Sequence, residues 1–190
     1  MIQRDGWCVP GAVCGKVKKK ETKGETMENK KPILDACCGS RMFWYNKHNP
    51  NVVFCDNRVV EKHEYYKNRY IEIKPDVVCD FTKLPFADNS FKLVVFDPPH
   101  LQWAGETSWI RLKYGNLPED WKPLIRAGFW ECMRVLEPYG ILIFKWSEVQ
   151  IPAREVIQAI GSEPLFGHRS GKHNNTHWMC FMKLPEEEAE

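Results

Sequence analysis

The 190-residue chain has no apolar run close to the roughly 18–20 residues that a membrane span needs. Its first residues are charged and hold no apolar secretory core, so nothing in them directs export. Neither G-x-G-x-x-G nor G-x-x-x-x-G-K-[ST] occurs, so these two phosphate-cradling loops are missing. That favours a nucleoside ligand over a phosphate-bearing dinucleotide. The histidines at 168, 173 and 177 lie near Cys180 but have no C-x2-C knuckle beside them. A loop between strands would spread such side chains, so no metal is expected. There is no disulfide frame either. Eight cysteines lie mostly in apolar runs or on the first loop, the pattern of reduced thiols and of a cytoplasmic protein. The formal charge is only +2, which by itself demands no nucleic-acid partner. No separate target-recognition domain is expected from the pattern.

What is present is one α/β pattern between two unlike ends. Residues 1–29 read as a flexible, charged N-terminal extension, and 185–190 as an acidic, disordered tail. Between them, residues 30–184 carry 21 Lys/Arg and 17 Asp/Glu, a local excess of positive charge. Short strands are expected at Pro32–Ala36, Val52–Cys55, Val77–Cys79, Phe91–Phe96 and Ile141–Trp146. Helices are expected at Trp121–Leu136 and at Ala153–Ile160, the second stopped by Gly161. Val59–Tyr70 reads as a polar, aromatic-studded helix or loop. Leu165–His168 and His177–Leu184 read as a closing antiparallel pair. The alternation predicts a Rossmann-like, mostly parallel sheet with an antiparallel last strand, covered on both faces.

Ligands of such sheets bind beyond the carboxyl ends of the strands. Four strands here deliver an acid to that edge: Asp35, Asp56, Asp80 and Asp97. Gly39 follows the first, where a tight turn lets backbone approach a ligand. Asp56, about twenty residues on, stands where an acid can take both ribose hydroxyls. Asp80 and Phe81 pair an acceptor for an adenine amino group with a ring to flank it. Each acid alone could equally be a turn or cap residue, which acids favour. The ordered set points to a site.

The loop D-A-C-C-G-S, Asp35 to Ser40, resembles the D-P-F-x-G-S-G loop of class I S-adenosylmethionine-dependent methyltransferases that act on amino groups of nucleic-acid bases. The resemblance spans roughly Pro32 to Leu184 and implies the class I methyltransferase fold. It also implies that Asp35, Cys37 and Gly39 hold the methionine part of the cofactor, Asp56 the ribose, and Asp80 with Phe81 the adenine. Cys37 stands where those enzymes have Phe or Gly. Arg41 replaces a common last glycine, and could pair with the cofactor carboxylate or point to solvent.

DPPH, Asp97 to His100, resembles their [D/N/S]-P-P-[Y/F/W] motif. An exocyclic amine is a poor nucleophile because its lone pair is delocalised into the ring. Two acceptors aimed at its N–H bonds rehybridise it and stabilise the developing charge. Asp97 is one acceptor and the Pro98 carbonyl the other, mounted rigidly by Pro98 and Pro99. His100 takes the position that stacks on the base. Asp at the first motif position resembles the adenine N6 enzymes; the cytosine N4 enzymes more often carry Ser and the glutamine-modifying ones Asn.

Trp103 and Trp109, in a loop with Arg111 and Lys113, suit contact with unpaired bases and phosphates, though they could instead pack the loop down. Arg169 and Lys172 are candidate phosphate contacts, and Lys145 a residue at the pocket rim. The expected partner is DNA or RNA presenting a flipped or single-stranded base, with a protein partner possible for specificity. The alternatives are methylation of a protein glutamine or a small amine, and a non-catalytic nucleic-acid-binding module.

Overall fold

The computed structural model describes residues 31–105, 111, 113, 115–173 and 175–185. Its strands are β1 (Ile33–Asp35), β2 (Val52–Asp56), β3 (Val60–Tyr66), β4 (Arg69–Ile73), β5 (Val77–Val78), β6 (Phe91–Phe96), β7 (Leu136–Ser147), β8 (Phe166–Ser170) and β9 (Thr176–Met182). Among the described residues, the helices with full ranges are α1 (Trp121–Val135) and α2 (Ala153–Ile160); residues 111 and 113 are also helical. Seven strands form one sheet in the order β5-β2-β1-β6-β7-β9-β8. The first five are parallel neighbours. β9 runs antiparallel between β7 and β8. This is the Rossmann-like, mostly parallel sheet with an antiparallel last strand that the sequence pattern predicts.

The helices form where apolar residues recur every three or four positions. In α1 these are Trp121, Ile125, Phe129, Cys132 and Val135, all buried. The helix ends as Leu136 turns extended and begins β7, so the strand starts ahead of Pro138-Tyr139-Gly140. α2 ends at Gly161, whose φ of 70° is the left-handed conformation glycine adopts without cost; its N–H donates to the Ile157 carbonyl. Phe129, Phe144 and Phe181 meet between α1 and the sheet, with ring centroids 4.9 Å apart for Phe129–Phe181. Each such ring contributes about 1.5–3 kcal/mol on burial.

Two expectations are corrected. Val59–Tyr70 is neither helix nor loop: it supplies β3 and the start of β4, which pair as a separate antiparallel hairpin. Asn68, at φ 59°, turns the chain, and its N–H donates to Glu64. The strand period shows only in β4, where Ile71 and Ile73 are buried and Glu72 is exposed. Nor do α1 and α2 cover both faces. Leu142, Phe144 and Trp146 of β7 point into the core shared with α1 and α2. On the opposite face the loop after β1 lays Trp44 edge-on against Phe54, 5.6 Å between centroids. Among the described residues no helix is long and apolar enough to cross a membrane.

Candidate active site

The parallel strands end together, and a cavity of about 860 Å³ opens at that edge. Asp35, Cys37, Gly39, Asp56, Asp80, Phe81, Asp97, Pro99 and Lys145 line it. The nucleoside loops therefore share one space with Asp97 and Pro99, whereas Pro98 between them is buried and does not line it.

Asp35 is 2% exposed. It accepts from the Trp44 indole N–H at 2.7 Å and from the Cys37 amide at 3.3 Å. Burial pushes its carboxyl up to about 7; the charges of Asp97 and Asp56 add to this, and the hydrogen bonds from Trp44 and Cys37 oppose it. The Cys37 thiol is pushed well up, first by burial and then by the Asp35 charge, which makes it unreactive.

Asp56 is the most fully bonded of the four acids. It accepts from the Gly39 amide at 2.8 Å, the Arg58 amide at 3.0 Å, and the Arg58 Nε and Nη2 at 3.0 and 3.3 Å. A carboxylate offers about four lone-pair sites, so these contacts fill it. Ribose hydroxyls would reach Asp56 only by displacing part of the Arg58 fork. Asp80 behaves partly as a turn residue: its Oδ1 accepts from both the Thr82 amide and hydroxyl at 2.8 Å. Phe81 is held against Phe96, 5.3 Å between centroids, with Gly128 of α1 behind it. A Cβ at Gly128 would lie 2.5 Å from the Phe81 ring, so only glycine permits this approach.

Asp97 ends β6, and its Oδ2 accepts from Lys145 Nζ at 2.6 Å. Its Oδ1 accepts from no described residue. Lys145 thus orients one oxygen and leaves the other for a ligand.

Not every expected residue reaches the cavity. His100 does not line it: the side chain is turned inward, 9% exposed, its ring edge-on to the fully buried Trp146 at 6.4 Å. Burial holds its imidazole below the ordinary range; the Asp97 charge and a hydrogen bond to the Pro98 backbone oppose that drop, and the Lys145 charge adds to it. Trp103 is 76% exposed and is tied by its backbone to the Gln150 side chain. Arg169 lies 3.6 Å from Glu148, and Lys172 is exposed at the β8–β9 turn; neither lines the cavity. Trp109 lies outside the described residues. Arg41 takes neither role considered for it. It adopts φ 54°, the backbone a glycine would allow, and donates to the Lys47 and Lys74 carbonyls and to Asp76. Its guanidinium stacks on Phe54 at 3.9 Å.

Several wall residues were not singled out from sequence: Phe43, Trp44, Arg58, Asn116 and Trp178. Arg58 has a weak sequence signal, a cation two residues past a strand-ending acid. Trp178 has one only once β9 is registered against β7. Asn116 is notable because its Oδ1 is buried and accepts no hydrogen bond among the described residues.

Comparisons with known proteins reach the fold. No family model matches the chain, and no curated protein matches it in sequence. Among solved structures, the PH0226 protein from Pyrococcus horikoshii OT3 is similar at a TM-score of 0.51 and 14% identity, over 82% of this chain and 83% of that one. The [4+2]-cyclase SpnF follows at 0.41 and 15% identity, over 76% of this chain and 57% of that one. The antibiotic-resistance methyltransferase Kmr follows at 0.38 and 12%, over 83% of this chain and 89% of that one. The first likeness gives a shared architecture; what the site does rests on the site.

Proposed function

We propose that the protein is an S-adenosylmethionine-dependent methyltransferase acting on an exocyclic amino group, with adenine N6 of DNA or RNA as its substrate. The observation that carries this reading is the meeting of Asp97 and Pro99 with the Gly39 loop and Asp56 in one cavity. The residues fit the cofactor. The volume suits a ligand of this size together with part of a substrate. Asn116 Oδ1 offers an acceptor awaiting a donor, and Phe81 an apolar ring for a purine to lie against.

When bound, S-adenosylmethionine supplies a methyl group activated by its sulfonium, together with the leaving group. The chain supplies position and charge. Oδ1 of Asp97 accepts one amine N–H, and the Pro98 carbonyl, which already takes the His100 hydrogen bond, accepts the other with its second lone pair, turning the nitrogen lone pair out of the ring plane and toward the methyl. Lys145 fixes the plane of the Asp97 carboxylate through Oδ2. As the new N–C bond forms, the amine carries one proton too many, and Asp97 is the base within reach of it. Aromatic walls favour a planar acceptor over a glutamine side chain.

The test is Asp97→Ala, assayed for methyl transfer to adenine and, separately, for cofactor binding by calorimetry. Turnover should collapse while cofactor binding survives. Cofactor binding lost together with turnover would remove Asp97 from the role given it.

A further inference from the structure

We propose that Trp178, backed by Phe43, is the platform on which the methyl-accepting ring stacks. The inference rests on the methyl-transfer reading and assigns the acceptor half of the same cavity. His100 cannot provide the platform, because its ring is turned inward against Trp146. The pairing of β7 with β9 supplies another aromatic. Register sets Lys145 directly opposite Trp178. Since Phe144 and Trp146 point to α1 and α2, Lys145 and Trp178 share the opposite face.

Lys145 lies between the catalytic carboxylate and the indole. Its ammonium touches Asp97 Oδ2 at 2.6 Å and lies 5.8 Å from the Trp178 ring centroid. The acceptor carboxylate and the indole are thus separated by a single side-chain head group. The indole is fixed rather than loose: its N–H donates to the Ser170 hydroxyl at 2.8 Å, and Phe43 packs 4.9 Å away, tilted 54°. Trp178, Phe43 and Asp97 all line the cavity. A planar heterocycle whose amino group meets Asp97 would lie with a face against this indole. A base can expose that face only when unstacked, so the substrate is a single-stranded or flipped adenine.

The test uses the full chain, saturating cofactor and single-stranded DNA and RNA oligonucleotides that contain adenine. Trp178→Ala should raise KM for the oligonucleotide about 10- to 100-fold, as loss of one base–aromatic stack does. The fall in kcat should be smaller, and calorimetric affinity for the cofactor unchanged. Trp178→Phe should recover most of the KM, which a merely structural role for the indole would not predict. KM within twofold of wild type in Trp178→Ala overturns the inference. So does loss of cofactor affinity in both variants, which would put Trp178 in the cofactor half. A wild-type chain that methylates no adenine overturns both this inference and the reading beneath it; an active wild type with an indifferent Trp178→Ala overturns this one alone.

Discussion

Asp35 is buried at the floor of the cavity with a carboxyl raised from 3.8 to about 7, so ionising it in the folded chain is costly. That change corresponds to roughly 4 kcal/mol between the two protonation states. The sign follows from proton counts. Between about pH 4 and about pH 7 the folded chain keeps a proton that the unfolded chain has lost, so this group lowers stability as pH rises, by about 1.4 kcal/mol per unit. The cost is complete above about pH 7 and absent below about pH 4. His100, lowered by burial, works the other way: below its ordinary value near 6.5 the unfolded chain takes up protons first, and stability falls as pH falls. Asp35→Asn removes the first effect and keeps the second. An Asn oxygen can still accept from the Trp44 indole, but the amide cannot accept everything a carboxylate does, at a cost of about 1 kcal/mol. Urea unfolding of both chains across about pH 5 to about pH 8 isolates Asp35 as the difference. The substituted chain should be near parity at the acid end and more stable by about 2–3 kcal/mol at the alkaline end. A difference that stays flat across this range, or that favours the wild type as pH rises, would refute the account of Asp35. The strain sits where a cationic ligand would relieve it, as expected of a functional site.

Two further outcomes follow from the geometry. Gly128→Ala drives a methyl into the Phe81 ring, and should cost about 1–3 kcal/mol in urea unfolding while weakening cofactor binding measured by calorimetry, because Phe81 must shift within the cavity wall. Lys145→Met frees the Asp97 carboxylate to rotate, and should lower kcat about 10- to 100-fold with cofactor affinity unchanged, with Lys145→Arg recovering part of the loss in steady-state assays.

The strand frame was readable because four of the five parallel strands are short apolar runs that lead to an acid, β7 being the exception. Ile33–Asp35, Val52–Asp56 and Phe91–Phe96 all stand where that pattern places them. The β3–β4 hairpin was hidden because β3 is largely exposed and carries no alternation. Two buried isoleucines of β4 hold the only period, too short a signal to outweigh the polar residues around them. The strand-end acids were legible for the same reason as the strands. Their partners were not. Trp44 on Asp35 and Lys145 on Asp97 are contacts that spacing does not encode, and Arg58 on Asp56, only two residues away, gave too weak a signal to stand out. His100 shows the limit most clearly: its motif position suggests the ligand side, yet the path of the chain after Pro99 turns its ring to Trp146. Trp178, 78 residues further along the sequence, sits beside the Asp97–Lys145 pair because of one strand register.

The most direct measurement offers the wild-type chain methyl-labelled S-adenosylmethionine with DNA, RNA and a protein lysate in turn, then digests each and identifies the labelled residue. The account predicts label in N6-methyladenosine or its deoxy form, and none when Asp97→Ala replaces the wild type. Label found only in protein, or no label anywhere although the cofactor binds, would contradict it.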